Sequence, residues 1–202
     1  SNNISPWSPD GSVTVDTVPP TGTLSINSGA NYVNSTSVTL NPSATDDSSG
    51  VVAMQFTNDG VHWSDWLPYA TSAAWTLVSG EGTKLVSARF KDGAGNVSSS
   101  PNRTIILDIT PPGVPGNPAD SGLYTLNPSV TFNWTAASDS GGSGVGGYTC
   151  QIGSAPGAFD VFNGSVGNVL SKTIAGSYGG RYYCRVKATD RAGSAGPWTS
   201  WS

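Results

Sequence analysis

The chain has 202 residues, of which only 11% are charged, thirteen acidic against nine basic, for a net charge of −4. A nucleic-acid or anionic-lipid partner requires a basic footprint that this composition lacks, which excludes nucleic acid as a partner. Membrane insertion is excluded as well, because no apolar run is long enough for a spanning helix, and the first residues show no signal-peptide pattern.

In chain order, the first landmark is Val15-Asp16-Thr17-Val18-Pro19-Pro20, which recurs 92 residues later as Leu107-Asp108-Ile109-Thr110-Pro111-Pro112. A period of that length belongs to tandem globular domains, not to a solenoid turn. It divides the chain into residues 1–16, 17–108 and 109–202. The first piece matches the end of a repeat: Pro6-Trp7-Ser8 resembles Pro197-Trp198-Thr199, and Val13-Thr14-Val15-Asp16 occupies the register of Ile105-Ile106-Leu107-Asp108. Residues 1–16 are therefore expected to be an extended strand. The second domain is expected to stop short of its own last strand.

Within the repeats, Ser37-Val38-Thr39-Leu40-Asn41 matches Ser129-Val130-Thr131-Phe132-Asn133. The loop from Ala44 to Val51 matches the one from Ala137 to Val145. Val52, Met54 and Phe56 then alternate with Ala53, Gln55 and Thr57, which predicts a half-buried strand, and Asn58-Asp59-Gly60 predicts a tight hairpin turn. Val86, Ala88 and Phe90 alternate next, and Thr104 to Leu107 reads as a final strand. In the second repeat Tyr148, Cys150 and Ile152 share one face, as do Tyr182, Cys184, Val186 and Ala188. The placed aromatic and β-branched residues argue against disorder. With about seven strands per repeat and no helical period, the pattern is all-β, two tandem immunoglobulin-like sandwiches.

The Asp-x-x-Pro-Pro linkers, the Asp-x-Ser-Gly-Val loop, the segment Asp59-Gly60-Val61-His62-Trp63-Ser64-Asp65-Trp66 and the turn Lys91-Asp92-Gly93-Ala94-Gly95-Asn96 resemble bacterial immunoglobulin-like, fibronectin-III-like repeats. That resemblance implies an exported surface protein or an accessory module of a secreted enzyme. It covers nearly the whole chain and weakens between Gly153 and Gly167, where the second repeat has no Trp-containing strand.

Catalysis finds no support. His62 is the only histidine, Glu81 the only glutamate, and no nucleophile elbow, metalloprotease helix or phosphate loop occurs. A structural, non-enzymatic role follows: spacing, scaffolding or head-to-tail polymerisation. In the last case Val13, Thr14 and Val15 of one copy would complete the second domain of the next by strand addition. The competing class is an adhesin or carbohydrate-binding module, with surface glycans as partners of Trp63, Trp66 and Tyr69. The bland alternative is that these rings pack within the sandwich.

Asp16, Asp46, Asp47 and Asp92 recur as Asp108, Asp139 and Asp190, each in a turn or linker. Calcium, the one candidate cofactor, takes several carboxylate oxygens from flexible loops. The resemblance to calcium-rigidified repeats suggests that it would stiffen the joints, whereas Asp also caps turns unaided. Cys150 and Cys184 replace Phe56 and Val86 in the repeat alignment, both inward on neighbouring strands. In the expected extracellular or cell-surface setting they form either a disulfide, the favoured alternative, or two buried thiols. Six Asn-x-Ser/Thr sequons, at Asn3, Asn34, Asn96, Asn102, Asn133 and Asn163, are candidate glycosylation sites.

Overall fold

The computed structural model describes residues 14–120 and 128–202. The described residues pack as two compact units. One holds those up to Ser28 with Thr39–Trp75 and Leu85–Arg103. The other holds Gly29–Val38, Thr76–Lys84 and those of Thr104–Ser202.

Among the described residues every regular element is a strand except a short 3-10 turn at Asn27–Gly29. Strands β1 (Thr21–Ile26), β3 (Ser37–Thr45) and β6 (Ala73–Thr76) form a three-stranded sheet in the order β1-β3-β6. A five-stranded sheet runs in the order β2-β8-β7-β4-β5, built from β2 (Tyr32–Val33), β4 (Val51–Thr57), β5 (Leu67–Pro68), β7 (Gly82–Asp92) and β8 (Asn102–Leu107). In this sheet β2 lies parallel to β8, with Tyr32 opposite Ile106. In the second repeat β9 (Ser129–Asn133) pairs with β12 (Ser171–Ala175). A second sheet there has the order β11-β10-β13, made by β10 (Val145–Gly153), β11 (Phe162–Gly167) and β13 (Tyr183–Asp190).

The alternation that marks β7 in the sequence is realised, since Val86, Ala88 and Phe90 are fully buried. Burying such a side chain stabilises by roughly 1.5–3 kcal/mol for the larger ones. Tyr148, Cys150, Ile152, Cys184, Val186 and Ala188 form the second repeat's core with Phe132 and Trp134. No helix among the described residues is long and apolar enough to cross a membrane.

Three expectations are corrected. First, β4 does not alternate: Ala53 to Thr57 are all buried, while Val52 is 49% exposed. A bulge between Val51 and Ala53 shifts the register against β7, so Val52 leaves the face it would share with Met54. Second, the chain turns more widely than an Asp-Gly hairpin. Gly60 does take a positive φ of 75°, but the return contact is Ser64 N–H to Phe56 O at 2.9 Å.

Third, Cys150 and Cys184 are free thiols, both buried, with their sulfurs 3.3 Å apart. Across the ladder Cys150 faces Val186 and Cys184 faces Ile152, which makes the cysteines diagonal neighbours. Diagonal positions on paired strands stand about 7–8 Å apart, beyond the usual Cα span of a disulfide. Hydrogen bonding to Cys150 and burial push the Cys184 thiol far above its ordinary range.

Candidate metal centres

Strand ends and linkers bring six of the seven candidate aspartates into two sets. Asp16, Asp46 and Asp92 present carboxylate oxygens within 4.8 Å of one another, and so do Asp108, Asp139 and Asp190. In each set one residue comes from the Asp-x-x-Pro-Pro linker and one from the loop entering β4 or β10. The third ends β7 or β13. Asp47 is exposed and belongs to neither set.

In the first set Asp46 Oδ2 accepts the N–H groups of Ser48, Ser49 and Gly50 at 2.8–3.1 Å. Asp92 Oδ1 accepts Gly95 N–H at 2.7 Å and Asn96 N–H at 2.8 Å, and Oδ2 accepts the Asn96 side-chain amide at 2.9 Å. Burial works against the charge of Asp92, but these donors outweigh it and hold its carboxyl below the usual range. Asp16 Oδ1 accepts Val18 N–H, and Oδ2 accepts the N–H and hydroxyl of Ser49. The Asn96 amide also reaches Asp16 O at 3.1 Å.

The second set is sparser. Asp108, fully buried, accepts Thr110 N–H on Oδ1 at 3.2 Å and Ser143 N–H on Oδ2 at 2.8 Å. Asp139 Oδ1 accepts Gly141 N–H at 3.2 Å, and Asp190 Oδ1 accepts Ser194 N–H at 2.8 Å. A Cβ at Gly141 would collide with the Asp108 carboxylate, so only glycine lets the loop approach this closely.

Turn capping therefore occupies one oxygen of several aspartates and leaves others over. Asp46 Oδ1, Asp139 Oδ2 and Asp190 Oδ2 are buried without a hydrogen-bond partner. Calcium binds oxygens at 2.3–2.6 Å, so two ligands of one ion stand at most about 5 Å apart, a limit both sets meet. The donor sets fit a hard divalent cation.

The helpers Ser49, Asn96, Gly141, Ser143 and Ser194 are absent from the sequence-derived site. The signal for the serines was present: Ser-Gly-Val follows the loop aspartate in both repeats, at Ser49-Gly50-Val51 and Ser143-Gly144-Val145.

The other candidates lie apart from the two carboxylate sets. The Arg89 guanidinium lies against both Trp63, at 4.3 Å, and Trp66, at 5.6 Å, and Lys91 lies over Trp66 at 4.4 Å. Tyr69 meets Phe90 edge-on, and its hydroxyl bonds the backbone of Ala44. Trp63 and Trp66 thus share one guanidinium, while Tyr69 packs on the buried ring of Phe90. In the second repeat Trp198 and Trp201 flank Arg185 at 4.7 and 4.8 Å.

His62 Nδ1 lies 2.6 Å from Asp59 Oδ2 in an exposed loop. The neighbouring Thr57 hydroxyl donates to Asp59 and not to the imidazole.

Asn34, Asn102, Asn133 and Asn163 are exposed, whereas the Asn96 amide is committed within the first set. Val15 is 81% exposed and Thr14 is exposed. Val13 and Asn3 lie outside the described residues.

No family model matches this chain, and no curated protein does. Solved structures do. The fibronectin domains FN1–FN3 of chicken CNTN1 match with TM-score 0.56 and 15% identity, over 92% of this chain and 63% of that one. The fibronectin(III)-like modules of Clostridium thermocellum CbhA match at 0.56 and 16%, over 88% and 90%. Domains A168–A170 of titin match at 0.50 and 17%, over 90% and 65%. The chain thus spans less than two thirds of the CNTN1 and titin fragments. At these identities the likeness is one of fold: tandem sandwiches of the fibronectin-III and immunoglobulin-like type.

Proposed function

We propose that the chain is a non-enzymatic spacer of an extracellular or cell-surface assembly, whose linkers are stiffened by calcium. The observation that carries this reading is the repetition of the carboxylate triad. Twice, the aspartate of an Asp-x-x-Pro-Pro linker is gathered with a loop aspartate and a strand-end aspartate of the sandwich that follows. Three carboxylates held this close repel one another, and a divalent cation removes that repulsion while tying the linker to the loops. The Pro-Pro pairs restrict the backbone beside the site, so a cation there fixes a segment that is already stiff.

Calcium is therefore expected to raise the unfolding temperature and slow proteolysis of the linkers, and a chelator to reverse both. Calorimetry with and without calcium tests this, and an unchanged transition would sink the reading.

Polymerisation by strand donation is a second reading, favoured by the exposure of Val15, whose side chain covers no core of its own chain. Deleting residues 1–16 is expected to abolish filaments seen by negative-stain microscopy, and unaltered assembly of the shortened chain would exclude it.

A further inference from the structure

We propose that Asp108, Asp139 and Asp190 form the preferred calcium site, and that Ser194, standing where the first repeat has Asn96, sets that preference. The proposal rests on the reading of the triads as cation sites, and adds which one fills first and why.

The two triads share a backbone plan but differ in how far the protein already satisfies them. In the first repeat Asn96 follows Asp92 by four residues, and its side-chain amide occupies Asp92 Oδ2. In the second repeat Ser194 follows Asp190 by the same spacing, and its backbone N–H bonds Asp190 Oδ1. The serine side chain supplies no amide in place of that of Asn96. Asp190 Oδ2 is consequently left without a partner, although the residue is only 4% exposed.

Asp139 Oδ2 is orphaned as well, but so is its counterpart Asp46 Oδ1, so the loop aspartate does not separate the sites. The hydroxyl of Ser143, a residue 2% exposed, is orphaned only in the second. The counterpart Ser49 spends its hydroxyl on Asp16 and on the N–H of Ala94.

Buried oxygens without donors carry a desolvation cost that a bound cation removes, whereas oxygens already holding amide donors gain less. The second triad also withdraws Asp108 wholly from water, while Asp16 is half-buried. One group works the other way. The exposed Arg191 guanidinium donates to Ser143 O at 3.1 Å and adds positive charge nearby. It is not paired with any of the three carboxylates, and water screens it. Asp190 Oδ2 and the Ser143 hydroxyl, whose counterparts in the first triad are already bonded, decide the order.

The test is a calcium titration of the metal-free full chain, read by amide NMR shifts. The N–H signals of Gly141, Ser143 and Ser194 are expected to move at lower calcium than those of Ser49, Gly95 and Asn96. Ser194→Asn is expected to raise the midpoint of the first group about tenfold, and Asn96→Ser to lower that of the second. Both substitutions replace half-buried turn residues and leave the carboxylates in place. Equal midpoints, or no response to Ser194→Asn, overturn the proposed order while leaving the cation reading standing. No shift in either group up to about 10 mM calcium, beyond the range of extracellular modules, overturns the cation reading itself.

Discussion

Glu81, the only glutamate of the chain, accepts the hydroxyl hydrogen of Thr110 at 2.6 Å. The same Oε1 accepts Ile109 N–H at 3.1 Å, so one carboxylate holds the two linker residues that follow Asp108. The contact is exposed, and its loss costs global stability no more than about 1 kcal/mol. Its effect is local. Glu81→Ala is expected to speed protease cleavage near Ile109 several-fold with the unfolding midpoint nearly unchanged. An unaltered cleavage rate would show that the linker is held by other contacts.

The buried thiols make a second prediction. Cys150 and Cys184 are fully buried, and hydrogen bonding between them with burial raises the Cys184 thiol. Thiolate reagents should therefore leave the folded chain untouched and label both cysteines once it is denatured. Intact mass should not change on reduction. A gain of two protons would restore the disulfide.

Thr199 pairs with the backbone of Val186 as a single residue. Its N–H donates to Val186 O at 2.9 Å, and its hydroxyl accepts Val186 N–H at 3.0 Å. Ser64 treats Phe56 in the same way. Thr199 is 5% exposed, so Thr199→Val strands a buried amide and is expected to cost roughly 1–3 kcal/mol. Denaturant unfolding measures it, and a loss below the error of the method would mean that water takes the hydroxyl's place.

Arg185 lies between Trp198 and Trp201 and donates from Nε to Gln151 at 2.8 Å. Replacing it with alanine removes both stacking and charge. The expected loss is about 1–2 kcal/mol with a change in tryptophan fluorescence. Fluorescence-monitored urea unfolding reads both, and Arg185→Lys should recover part of the stability.

Acid sensitivity follows from two exposed loops. The His62 side chain, then the N–H groups of His62 and Val61, hold the Asp59 carboxyl well below its ordinary value of 3.8. The backbone and hydroxyl of Ser154 lower Asp160. A carboxyl lowered on folding contributes stability that is complete above its unfolded value and disappears as the pH falls through its folded one. The melting temperature is thus expected to be flat down to about pH 5 and to fall below pH 4. Asp59→Asn and Asp160→Asn should each flatten that fall.

The sequence alone determined the strand content, the duplication and the inward faces of β7, β10 and β13, because side chains alternate with period two whatever surrounds them. The recurrent aspartates were legible for the same reason: linkers and turns repeat with the domains. What the tertiary structure decided depends on residues far apart in the chain. A bulge in β4 exposed Val52, and the pairing of β10 with β13 set two buried cysteines as diagonal neighbours. Three carboxylates from a linker, a loop and a strand end came within 4.8 Å of one another. Whether a carboxylate oxygen is left without a donor is a property of the closed loops, where the reach of the Asn96 amide, compared with the short Ser194 side chain, separates a satisfied aspartate from an orphaned one.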